Sequence, residues 1–171
     1  MTPLDIRNII KNIEILEDLE NRGLLDTRFA LKIALMECCG WIEEKMANII
    51  FEYIDRKIKN FDLNNELKIA ISKKNYSFRY KDFRDKLVSS VGELEVIKIE
   101  KGLKKRQNVY FDFDHFKTIL SGLKTKRDQC AHTFMSNTNT TITFFGFNEI
   151  KQKLKYINNG FKIIKQYISR R

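Results

Sequence analysis

Arg127-Asp128-Gln129-Cys130-Ala131-His132 brings a cation, a carboxylate and one of the chain's two histidines into six residues. An imidazole has an ordinary pKa of about 6.5 and exchanges protons near neutral pH. A guanidinium is a permanent cation with a rigid fork of donors. On a helix turning about 100° per residue, Asp128 and His132 stand four apart on one face, so the carboxylate can hold the imidazole. Arg127 and His132 stand five apart and diverge by about 140°. They can flank one substrate group only if the arginine side chain swings round or a second copy of the motif faces the first. Ala131, four residues after Arg127, leaves room for the guanidinium to lie along the helix.

The elements that must position these residues read as helices. Thr2-Pro3 reads as a helix start, with Ile6, Ile9, Ile13 and Leu16 at helical spacing until Asn21-Arg22-Gly23 stops the run. A second start at Asp26-Thr27 opens a long helix to about Lys59. One apolar stripe of that helix holds Leu31, Leu35, Cys38, Ile42, Ile49 and Tyr53, and another holds Phe29, Ile33, Met36, Gly40, Ala47, Ile50 and Ile54. So wide an apolar arc predicts a helix that is central in a bundle or shared between subunits. Trp41 with Glu43-Glu44 reads as core plus solvated face.

A short helix is expected around Leu63–Ser72, then a loop through Lys73-Lys74-Asn75. Phe83, Leu87 and Val91 mark a further helix ended by Gly92. The stretch Glu93–Lys105 fits either a helix or irregular chain. Asp112 or Asp114 caps the helix that leads into the motif, with Phe116, Ile119, Leu120 and Leu123 inward and Ser121-Gly122 as a candidate break. His115 reads as a surface residue at the helix start. After an Asn/Thr-rich connection with an extended patch at Thr141–Phe145, Asn148 is expected to cap the last helix. Its apolar set, Ile150, Leu154, Ile157, Phe161, Ile164 and Ile168, alternates spacings of four and three, with lysines on the other faces. The fold class expected is all-α, an antiparallel helical bundle of about five to six helices, with residues 1–171 as one domain.

Composition sets the surroundings. The 171 residues are 43% hydrophobic and 32% charged, as in a soluble globular domain, and carry a net charge of +10. That charge is uneven: residues 1–60 carry a net −2, residues 61–128 a net +6 and residues 129–171 a further +6. A clustered positive field favours a polyanionic partner, while the plain alternative is a solvated lysine-rich surface. Where that partner is RNA rather than DNA or a phosphorylated surface, Lys104, Lys105 and Arg106 of the basic run, with Lys124 and Lys126 before the motif, are the candidate contacts. Three cysteines without a C-x-x-C pair and two histidines give poor support to a metal site, so neither metal nor cofactor is expected. Cys38 and Cys39 read as buried small hydrophobes. No apolar run reaches the roughly 20 residues of a membrane span and no leader opens the chain, so a cytoplasmic location without membrane contact is expected.

The segment Leu123–His132, the variable loop through Phe147 and the closing amphipathic helix Asn148–Ile168 resemble the HEPN superfamily, and most of all its RiboL-PSP-type domains of prokaryotes. Cys39-Gly40-Trp41-Ile42-Glu43-Glu44 is similar to the opening core helix of that group. The residue after the arginine is often Asn in these proteins; Asp128 biases His132 further toward the protonated form. The resemblance implies a metal-independent endoribonuclease, acting as a homodimer whose two motifs form one composite cleft. Arg127, Asp128 and His132 would be its catalytic residues. It further implies a toxin or antiviral defence effector held in check by an antitoxin or inhibitor protein. The alternative is a catalytically inactive HEPN-like module that binds RNA or protein, with Arg127, Asp128 and His132 as a structural ion pair.

Overall fold

A computed structural model describes residues 5–73, 77–105, 111–131 and 143–169. These form seven α-helices and no strand: α1 (Ile6–Asn21), α2 (Thr27–Lys57), α3 (Phe61–Ser72), α4 (Tyr80–Val91), α5 (Glu93–Lys105), α6 (Phe113–Ala131) and α7 (Phe147–Ser169). The all-α bundle expected from the periodicity is present, with one helix more than the upper expectation. The extra element is α5, where Glu93 and Glu95 occupy the first turn and Lys104 and Lys105 the last. That charge order complements the helix dipole and favours helix over irregular chain.

Local chemistry sets most helix ends. Asp26 caps α2 by accepting from Phe29 N at 3.0 Å, Asn60 caps α3 through Leu63 N at 3.1 Å, and Asp112 caps α6 through His115 N at 2.5 Å. Asp114 instead lies inside α6 and pairs with Lys117. Helices α1 and α4 stop at Gly23 (φ +69°) and Gly92 (φ +92°), backbone positions where a Cβ is penalised. Three expected boundaries shift. Helix α1 begins at Ile6 with Asp5 as its cap, and Thr2-Pro3 lies outside the described residues. Ser121-Gly122 makes no break, because Leu120 and Leu123 on either side are fully buried and hold the helix together. Helix α7 begins at Phe147 rather than behind an Asn148 cap, with Ile150 N donating to Gly146 O. Thr143–Phe145 has no regular structure, and residues 141–142 lie outside the described residues.

Helix α2 is the centre of the bundle and packs against α1, α3, α4, α6 and α7. The six α7 residues of the four-three pattern are all buried, each contributing about 1.5–3 kcal/mol of apolar transfer. Tyr80, Phe83, Phe113, Phe116 and Phe161 form an edge-to-face aromatic cluster that locks α4, α6 and α7 together. Tyr156 of α7 fastens the start of α6, its hydroxyl accepting from Asp112 N (2.7 Å) and donating to Asp112 O (3.0 Å). Among the described residues no helix is long and apolar enough to cross a membrane.

Candidate functional site

The buried stripe of α6 runs Phe116, Leu120, Leu123, Cys130 at helical spacing, and Arg127 occupies the position between the last two. The stripe of α2 facing it runs Leu35, Cys39, Met46, Ile50, and Glu43 interrupts it in the same way. Core packing of two apolar stripes thus brings one cation and one anion face to face. Arg127 Nη2 lies 3.4 Å from Glu43 Oε1, and both side chains are largely covered, at 28% and 21% exposure. Burial raises the Glu43 pKa; Arg127, Lys124 and Lys86 pull it back down, and Asp128 adds to the rise. Lys86 contributes from α4, where it is itself buried.

Asp128 stands one position round the helix and more exposed. Its Oδ2 accepts a hydrogen bond from Lys124, four residues earlier, and its Oδ1 lies 3.9 Å from Arg127 Nη1. The Lys124 hydrogen bond is the main cause of its lowered pKa, with Arg127 and Arg79 assisting electrostatically. Cys39 and Cys130 sit beside this cluster, both buried, and burial raises both thiol pKa values. Burial pushes Cys38 up to about 12, so these cysteines are packing groups rather than nucleophiles.

The structure brings together Arg127, Asp128 and Lys124, with Lys126 half-buried beside them. It does not bring the basic run to them. Lys104 and Lys105 are exposed at the end of α5, and Lys104 acts electrostatically on Asp114, at the start of α6. Thirteen helical residues separate Asp114 from Arg127, about 20 Å along the axis. Lys124, expected as an RNA contact, is instead committed to Asp128, with 14% of its side chain exposed. His132 and Arg106 lie outside the described residues. His115 is exposed at the start of α6, as expected, with its ring edge-on to Tyr156 (5.0 Å, 79°) over an open groove of about 260 Å³.

Glu43, expected on a solvated face, is instead largely covered against Arg127, and Lys86 and Arg79 join the cluster electrostatically without a sign in their own spacing. A legible sign was present in the spacing, since Glu43 follows Cys39 by four residues and precedes Ala47 by four, inside a stripe otherwise apolar. A carboxylate in such a place requires a cation across from it. Trp41, by contrast, is core as expected, 2% exposed and 6.3 Å from the Phe161 ring.

The second apolar stripe of α2 divides in two. Ala47, Ile50 and Ile54 are buried, whereas Phe29 is 45% exposed, Gly40 is exposed, and Ile33 and Met36 are half-covered. Lys32, between Phe29 and Ile33 in this less covered half, acts electrostatically on Cys130 of the motif. Among the described residues no three His, Cys, Asp or Glu side chains gather as a metal site. Compared with protein-family models, curated proteins and solved structures, the chain finds no match.

Proposed function

We propose that this protein is a metal-independent endoribonuclease of the HEPN type, acting as a homodimer with one composite site. The observation that carries the reading is Arg127 itself: a largely covered guanidinium at the end of α6, faced by Glu43 and Asp128, in the last turns before His132. In the reaction the 2′-hydroxyl of RNA attacks the adjacent phosphorus. The new O2′–P bond forms as the P–O5′ bond breaks, leaving a cyclic phosphate and a 5′-hydroxyl. His132 takes the 2′-proton and returns one to the departing 5′-oxygen. Arg127 stabilises the added charge of the phosphorane, and Asp128 supports the protonated imidazole. The partly exposed Phe29–Ile33–Met36 face of α2 is where a second copy would dock. A cytoplasmic toxin or defence effector restrained by an inhibitor protein is the setting such chemistry calls for.

The test is incubation of purified protein with tRNA in EDTA. Cleavage to 5′-hydroxyl products is expected, with a loss of at least about a hundredfold in His132→Ala. Intact RNA, or a His132→Ala protein that cuts as well as wild type, sinks the reading.

One observation favours a second reading, a non-cleaving module that binds RNA or protein. Glu43 and Arg127 tie α2 to α6, as a structural ion pair would. That reading expects RNA binding that weakens with salt, no cleavage, and an Arg127→Ala variant whose main defect is stability.

A further inference from the structure

Glu43 stands where its stripe of α2 is otherwise apolar, with Cys39, Met46 and Ile50 buried around it. Its Oε1 is buried and accepts no hydrogen bond among the described residues, yet it lies 3.4 Å from Arg127 Nη2. The attraction is Coulombic and consumes none of the guanidinium's five N–H donors. Asp128 approaches the other terminal nitrogen at 3.9 Å, too far for a hydrogen bond. Lys124 is turned away to Asp128, and Lys86 backs Glu43 from α4. Two carboxylates therefore orient Arg127 without accepting a hydrogen bond from it.

We infer that Glu43 is the positioning residue of Arg127, holding the guanidinium at the end of α6 so that its N–H groups grip a phosphate of the RNA backbone. The identity of the anion rests on the ribonuclease reading above; the pairing of the two side chains does not. The sign of the effect separates positioning from simple electrostatics. Removing a negative charge beside a phosphate site should tighten anion binding by Coulomb's law. Removing a positioning group should weaken it.

The experiment measures binding of a mixed-sequence 2′-O-methyl oligoribonucleotide, which cannot undergo 2′-hydroxyl attack, to the full chain, with thermal melts confirming that each variant folds. Glu43→Gln should bind about tenfold more weakly than wild type. Glu43→Gln in an Arg127→Ala background should cost nothing further, because the two act as one unit. Glu43→Asp, which keeps the charge but withdraws it by one methylene, should fall between wild type and Glu43→Gln, and it serves as the test if Glu43→Gln does not fold. Unchanged or tighter binding by a folded Glu43 variant overturns the inference, as do additive losses in the double variant. Cleavage of tRNA in EDTA runs in parallel. Coupled losses of binding with no wild-type cleavage leave Glu43 in its role and remove the ribonuclease reading. Normal cleavage with uncoupled binding does the reverse, and a wild-type protein that binds no oligonucleotide overturns both.

Discussion

Replacing Gly160 with alanine should destabilise the protein, although alanine ordinarily strengthens a helix. Gly160 is buried within α7, and a Cβ there would lie 2.5 Å from Phe116 Cδ2, 2.6 Å from Cε2 and 3.1 Å from Phe111 Cε2. Carbon atoms pack at about 3.5–4.0 Å, so the Phe116 ring would have to retreat by roughly 1 Å. It has no room to do so: it is fully buried, edge-on to Phe161 (5.7 Å, 82°) and to Tyr80 (6.5 Å, 77°). Helix propensity favours alanine by about 1 kcal/mol. Overpacking costs about 1–3 kcal/mol, and a ring held on both sides belongs at the upper end. The expected net loss is about 1–2 kcal/mol, a fall in Tm of roughly 2–8 °C for a chain of this size. Gly122 is the control, because a Cβ there meets nothing within 4 Å and Gly122→Ala should gain about 0.5–1 kcal/mol. Urea and thermal unfolding of the three proteins measure both signs. A Gly160→Ala protein as stable as wild type, or both variants shifting the same way, would refute the packing of α6 on α7.

The site carries two further outcomes and the exposed end of α2 a third. The lowered pKa of Asp128, caused first by Lys124, means its ionised form stabilises the fold above the ordinary value of 3.8, and that contribution disappears as pH falls through the folded pKa. Asp128→Asn should therefore cost about 0.5 kcal/mol at pH 6, the worth of a half-exposed i,i+4 pair, and the difference from wild type should close below pH 3.8. A gap that stays constant across a pH series of unfolding curves would exclude the Lys124 pair as its source. Glu43 runs the other way: its raised pKa means ionisation costs stability between 4.5 and its folded value, so Glu43→Gln should flatten that segment of the curve. Phe29→Glu should leave the fold intact and halve the mass found by light scattering; a wild-type monomer, or a variant that stays dimeric, would remove this face as the dimer contact.

Spacing made α7 and the inward face of α6 legible, because burial acts on periodicity directly and each of those apolar positions proved buried. Stops at Gly23 and Gly92 were legible because their positive φ is a local demand. The continuity of α6 through Ser121-Gly122 was not, since a glycine's helix penalty of about 1 kcal/mol is small against the burial of Leu120 and Leu123 beside it. The partner of Arg127 was hidden for a different reason. Reading within one helix, Asp128 and His132 were its natural neighbours at short range, whereas Glu43 is 84 residues earlier in the chain. Only the packing of α2 on α6 sets their charges opposite each other.

That packing also bears on which of the two functional readings the ion pair suits. A side chain whose purpose is to pin two helices should spend its donors on short, well-aligned bonds. The chain has such pins: Lys151 to Glu17 at 2.7 Å joins α7 to α1, and Arg84 bonds Glu100 at 3.1 Å between α4 and α5. Arg127 is placed differently, with contacts of 3.4 and 3.9 Å and no hydrogen bond donated to either carboxylate partner. Arginine's planar fork gives its strongest holding as a bidentate pair, and here that capacity is left unspent. A guanidinium that makes no hydrogen bond to either carboxylate, at the end of a helix, with 28% of its side chain exposed, is what the ribonuclease reading asks of a group that receives an anion. The arrangement makes a measurable distinction. If Arg127 is a pin, the main defect of Arg127→Ala is a lowered Tm, because the largely covered Glu43 carboxylate loses the cation across from it. If it receives the phosphate, Arg127→Ala melts within a few degrees of wild type while its affinity for the 2′-O-methyl oligonucleotide falls about tenfold or more.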